Sequence, residues 1–298
     1  MTTTTLEAPQ PSGAQNARVQ GATRLNFARV VRSEWIKLRT LRSTLWLFAI
    51  FVLLTVAFGL LMAVTFDTSG GPALDTETQK SFTVMVATLG VSFTQLVAAV
   101  LGVLIVSGEY TTGMIRSTFA AVPKRLPAFF AKAFVLALAT FVVSLGSIVA
   151  TALITAPILA GQGVEGQLLD GEVMRALVGG AGYLTLVALL AFGFGAILRN
   201  SAGGIATVLG LILVVPTVLG ILAAITQAVW VQNLSAFLPS NAGALMYAIG
   251  DGSFMGGPPV PTGSDIITLD ATQGFLVLVA WVVVLFIAAA ALIKRRDA

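Results

Sequence analysis

The chemically capable residues of this chain gather in one place. The stretch from Gly108 to Arg125, GEYTTGMIRSTFAAVPKR, carries Glu109, Arg116, Lys124 and Arg125, with a long apolar run on each side. One carboxylate and three cations at this density can make charged contacts with a soluble surface. They have little to build a catalytic centre with. The chain has no cysteine and no histidine, which removes disulfides, thiolate and imidazole metal sites, and histidine acid–base catalysis. No G-x-x-x-x-G-K-[ST] loop that would cradle phosphates is present, so the chain is not expected to bind ATP itself.

The elements that must position this island are set by composition. Of 298 residues, 57% are hydrophobic and only 10% charged, against about 25% charged in a soluble domain. Mean hydropathy is +0.94. The apolar residues form runs of about 20, the length that crosses roughly 30 Å of hydrocarbon as helix. The fold class is therefore all-α: a polytopic membrane protein rather than a β-barrel, which would show shorter alternating segments. Six spans are expected, at about 43–66, 82–107, 133–159, 174–198, 202–229 and 273–293. As drawn, none contains Asp, Glu or Lys, and the one Arg, Arg175, stands at the very edge of the fourth, which argues against a proton-coupled antiporter and an intramembrane enzyme.

Ahead of the spans, residues 1–23 are rich in Thr, Gln, Pro and Gly and read as a disordered tail. Residues 24–42, RLNFARVVRSEWIKLRTLR, read as an amphipathic helix on the membrane surface. Phe27, Val31, Trp35 and Leu38 share one face, with Arg29, Arg32 and Arg39 on a neighbouring one. Residues 43–298 form the six-span domain. Pro216 should kink the fifth span. Between spans 5 and 6, the apolar stretches Val231–Leu238 and Leu245–Ile249, broken at Pro239-Ser240-Asn241, suggest a re-entrant or interfacial helical pair. Gly179, Gly182, Gly193 and Gly195 suit close helix packing.

Charge sets the orientation. With the N-terminus in the cytoplasm, only Lys80 and Arg175 of the 17 Lys and Arg residues fall outside, so both termini are expected to be cytoplasmic. The pI of about 9.8 then reflects topology signals, not nucleic-acid binding. The Gly108–Arg125 island becomes a cytoplasmic segment between spans 2 and 3. Glu109, Gly113, Thr112 and Arg116 fit a short helix, with Glu109 near its N-terminus, where the dipole favours a carboxylate. Val122-Pro123 ends it.

The motifs match a known pattern. GEYTTGMIR, residues 108–116, resembles the G-E-[YF]-x-x-G-T-[IL]-R pattern of bacterial ABC-2-type exporter permeases, with Met114 in place of the usual threonine. Ser33–Thr40, SEWIKLRT, resembles the S-E-x-x-K-L-R-[TS] elbow helix of the same family, and Leu238–Gly243, LPSNAG, fits the segment after its fifth span. The resemblance implies a permease subunit of an ATP-binding cassette transporter in the bacterial cytoplasmic membrane, exporting a hydrophobic or amphipathic molecule by alternating access. It implies two cytoplasmic ATPase partners, which would carry the ATP and Mg, and a second permease half, identical or not. It makes Glu109–Ala121 a coupling helix seated on the ATPase. Glu109 and Arg116 would be its polar contacts and Tyr110, Met114, Ile115 and Phe119 its apolar ones, with Gly113 between them. Glu34, Trp35, Lys37, Leu38 and Arg39 would mark the elbow. The competing expectation is a non-transporting scaffold or immunity-type protein, which has no need of the 109–125 island.

Overall fold

The computed structural model describes residues 27–66, 74–111, 113, 125–249 and 266–296. Among these there is no strand. The helices are α1 (Phe27–Thr40), α2 (Arg42–Thr65), α3 (Thr76–Thr88), α4 (Val91–Thr111), α5 (Arg125–Gly161), α6 (Gly171–Leu198), α7 (Ser201–Leu209), α8 (Val215–Thr226), α9 (Val229–Ala236), α10 (Pro239–Ala244) and α11 (Ala271–Arg296). A π-helical turn, Gly210–Val214, joins α7 to α8. Six segments are long and apolar enough to cross a membrane: α2, α3 with α4, α5, α6, α7 with α8, and α11.

Helix α6 is the centre of the bundle and packs against α4, α5, α7 and α11. Its sequence allows this because it offers small residues where neighbours come close. Gly102 of α4 lies against the Ala188 carbonyl of α6, and Gly179 of α6 lies against the Met246 carbonyl. A Cβ at either glycine would collide with backbone. In lipid, where hydrophobic burial does not separate helix–helix from helix–lipid contact, such close approach carries the association. Aromatic rings fill the remaining space at one end, where Phe129 of α5, Phe192 of α6 and Phe286 of α11 meet with centroids 5.0 to 5.8 Å apart.

Several helices differ from the apolar runs that announce them. The second span is broken at Leu89-Gly90, where the Gly90 backbone lies against the backbone of Thr55. Thr55 and Thr94 then share a 3.0 Å hydroxyl bond beside the break. In the fifth span the π-helical turn lies just ahead of Pro216. Pro216 has no N–H to donate, and just before it the Val215 N–H reaches the Gly210 carbonyl, one residue further back than in an α-helix. After span 5 there is a helical pair, α9 and α10, but the second helix begins at Pro239 rather than following it, and the expected second apolar stretch, residues 245–249, is not helical. Proline is well suited to a first helical turn, where its missing donor is not needed.

Replacing Gly102 by Val should separate α4 from α6. The expected result is a loss of about 1–3 kcal/mol in stability, measured as a lower Tm in detergent, with membrane insertion unchanged.

Candidate functional site

The last turn of α4 is tied to its surroundings on every side. Helix α4 does not stop before the polar island but runs through Gly108 to Thr111. Gly113 follows with φ +73, a left-handed conformation that suits glycine at a helix C-terminus. Glu109 therefore sits at the C-terminal end of a helix, not near an N-terminus as expected. There the dipole disfavours a carboxylate, so its charge needs cations.

It has two. Lys132 of α5 donates to Glu109 Oε1 at 2.7 Å and to Glu34 Oε2 of α1 at 2.6 Å. Lys37 of α1 bridges the same carboxylates, at 2.8 Å to Glu34 Oε1 and 3.2 Å to Glu109 Oε1. Glu34 is 4%, Glu109 8% and Lys132 8% exposed. Two carboxylates and two ammonium groups thus join α1, α4 and α5 in a balanced, largely buried cluster. Glu109 Oε2 is buried with no hydrogen-bond partner.

The cluster sets the rotation of α1. Its buried line is Val30, Glu34 and Leu38, at i, i+4, i+8. Phe27, expected on the apolar stripe, is exposed instead. The helix turns Glu34 inward, toward Lys132. Val30 then packs on Ala128 and Ala131, and Leu38 on Val135 and Ala139, with Val31 and Trp35 alongside. Arg39 stays exposed.

The neighbouring residues reach the other side of the bundle. Ser107 shares a 2.9 Å hydroxyl bond with Ser201 at the start of α7. The Arg199 guanidinium lies 4.9 Å from the centre of the Tyr110 ring, a cation–π distance. Arg199 holds this place from a left-handed conformation, φ 54, at the end of α6, where its N–H caps the Gly195 carbonyl. Four of the expected contacts, Met114, Ile115, Arg116 and Phe119, lie outside the described residues, as do Lys124 and Pro123. Glu109, Tyr110 and Gly113 do sit together. Lys132, Ser107, Arg199 and Ser201 were missed as partners. For Lys132 a signal existed: it is a lone cation in the otherwise apolar FFAKAF.

Among the described residues no group of three His, Cys, Asp or Glu side chains could hold a metal ion. What the arrangement can do is mechanical: displacement of residues 107–110 is passed to α1, α5, α6 and α7. A family model described as ABC-2 family transporter protein matches residues 30–217, well over half of the chain. The chain belongs to this family. No curated protein gives a match. The matched region of this ABC-2 transporter protein runs from α1 into α8 and includes every tie just described. The chain is a multi-pass, permease-type component of a transporter.

Electrostatics give the cluster a defined pH range. Burial alone would raise the Glu34 carboxyl, but Lys132 and Lys37 more than offset this and hold it below its ordinary value of 4.5. Burial would lower Lys37, but Glu34 and Glu109 hold it above its ordinary 10.5. The depressed carboxyl contributes stability above about pH 4.5, lost as pH falls through its lower folded value. The raised amine contributes below about 10.5, lost as pH rises through its higher one. With Trp46, Trp230 and Trp281 replaced by Phe, Trp35 fluorescence should be flat between those limits and change only beyond them. Lys132→Ala leaves two buried carboxylates short of a cation and should cost about 3–5 kcal/mol. The combined Glu34→Gln, Glu109→Gln, Lys132→Met variant should unfold later than Lys132→Ala alone.

Proposed function

We propose that this ABC-2 protein is the permease subunit of an ATP-driven exporter and that the segment following α4 receives the force from a cytoplasmic ATPase. The observation that carries this reading is the set of ties on residues 107–110. An isolated polar turn between two spans needs no contact with four other helices. A segment that must pass a push into the bundle does.

In this reading the α1 end of the bundle faces the cytoplasm, in a bacterial inner membrane. The end carrying Lys80, which pairs with Asp170 at 3.0 Å and Glu77 at 3.3 Å, faces outward. ATP and Mg are bound by the partner ATPases. Arg116, Met114, Ile115 and Phe119 make the docking contacts. Glu109 is a positioning residue: with its carboxylate turned inward to Lys132, it fixes the base of the docking segment and the elbow helix α1 together. ATPase closure then shifts both, and α5 with them, switching the spans between inward- and outward-open states. A second permease half completes the pathway. None of the twelve residues of α8 is buried within the chain, so its apolar surface is open to that half and to lipid. The cargo is hydrophobic or amphipathic.

The test is purification from native membranes with an affinity tag, followed by an ATPase assay and identification of co-purifying chains. A stoichiometric soluble ATPase should accompany the protein. Arg116→Ala should release it without changing Tm. The combined Glu34→Gln, Glu109→Gln, Lys132→Met variant should retain it but lower cargo-stimulated hydrolysis by roughly tenfold or more, about 1.4 kcal/mol of coupling. A chain that purifies alone, with no nucleotide dependence, would point to a scaffold instead.

A further inference from the structure

Helix α1 sorts its charges by face. Glu34 is its one carboxylate, and it is turned inward to Lys132 and Lys37. Opposite the buried line of Val30, Glu34 and Leu38 stand Arg32, Ile36 and Arg39, at i, i+4 and i+7, all exposed. Arg29 is exposed beside them. Neither these arginines nor Arg42, at the start of α2, make an ion pair with a described residue. Among the described residues the only carboxylates at this end of the bundle are Glu34 and Glu109, and both are buried in the lysine cluster. Burying the one anion of α1 therefore leaves its outer face purely cationic.

Helix α2 carries the second half of the pattern. Arg42, Trp46, Ala49 and Leu53 lie at i, i+4, i+7 and i+11, on one side of the helix. All four are exposed, Trp46 to 70% and Leu53 to 65%. In a helix long and apolar enough to cross a membrane, such a side is open to hydrocarbon, and a tryptophan near the helix start marks the headgroup level. Arg42 stands one turn before that tryptophan. Only Leu41 separates α1 from α2, so Arg39 lies close to the same level. A soluble acidic partner could pair with the arginines of α1, but it could not reach Trp46 and Leu53 inside the membrane. An amphiphile with an anionic head and an apolar tail meets both halves.

We propose that Arg39 and Arg42, with Arg32 behind them, bind the headgroups of anionic phospholipids in the leaflet where α2 begins, the acyl chains lying along Trp46, Ala49 and Leu53. The planar guanidinium fork suits a phosphate. A headgroup with no cation of its own leaves its net charge free for the arginines, and each cation near the surface adds to that attraction. The opposite face of α1 holds Glu34 against Lys132, so the bound headgroups also steady the helix that carries the buried cluster. The site is read from α1 and α2 alone and does not depend on an ATPase partner.

The experiment is lipid retention by the full chain, purified in detergent from vesicles of phosphatidylglycerol and phosphatidylcholine in equal parts and read by native mass spectrometry. The expected result is retention of phosphatidylglycerol at about tenfold over phosphatidylcholine, a difference of about 1.4 kcal/mol. The combined Arg32→Gln, Arg39→Gln, Arg42→Gln variant should abolish the preference with Tm unchanged, because no buried group loses a partner. The matching Arg32→Lys, Arg39→Lys, Arg42→Lys variant should keep most of it, which ties the effect to charge. Equal retention of the two lipids, an unchanged preference in the glutamine variant, or loss of the preference in the lysine variant as well would each overturn the proposal. A glutamine variant that keeps the lipid preference but loses a co-purifying ATPase would assign these arginines to a protein surface instead.

Discussion

Much of this structure depends on where Lys132 puts its charge. An ammonium seven residues into a 37-residue helix, with 8% of its surface exposed, must find carboxylates or unfold its surroundings. It finds one on α1 and one on α4. Satisfying that single cation fixes the rotation of a surface helix and the end of a spanning one, and it does so at the point where the chain leaves α4 for the polar island. Lys37 closes the cluster from α1 itself. A purely apolar seam would hold the same helices together but would let α1 slide or rotate. Charged hydrogen bonds do not, because few other arrangements satisfy all four groups.

Away from that rim, the bundle is held by fit rather than by charge. Gly102 and Gly179 let carbonyls come where side chains would otherwise stand, and hydroxyl groups answer one another inside the spans. Thr55 meets Thr94, and the Tyr183 hydroxyl donates to Gln95. Most remaining hydroxyls turn back on their own helices, as Thr151 does to the Ser147 carbonyl at 2.7 Å. The polar content of the spans is thus largely absorbed by packing.

How much of this could be read from the sequence depended on the range of the interaction. The six crossings were legible because hydrophobic length is local: about 20 apolar residues in a row need no partner to be recognised. The surface helix was legible for the same reason, and so was the family pattern at residues 108–116. What was not legible was set by contacts distant in sequence. The inward turn of Glu34 depends on a lysine 98 residues away, so the stripe through Phe27 was the better guess from α1 alone. Glu109 was placed at the wrong end of a helix because the apolar run ends at Ser107 while the helix continues to Thr111 on bonds the polar side chains do not reveal. The break at Gly90 depends on the approach of Thr55. Arg199 and Ser201 gave no sign of their partners in α4.

The π-helical turn in the fifth span has a geometric consequence. One turn that takes an extra residue advances everything after it by about 100° relative to a regular helix. Helix α7 shows Gly204 and Val208 to the bundle, whereas beyond the turn no residue of α8 is fully buried and only Pro216, Leu219, Leu222 and Ala223 are half-buried. The span therefore joins two stretches with different neighbours: the first is fitted to α4 and α6, and the second is free of any requirement to match them. Its residues can drift among Ile, Val and Leu without disturbing the fold, so the sequence of α8 is at liberty to follow whatever surrounds it, while that of α7 is not.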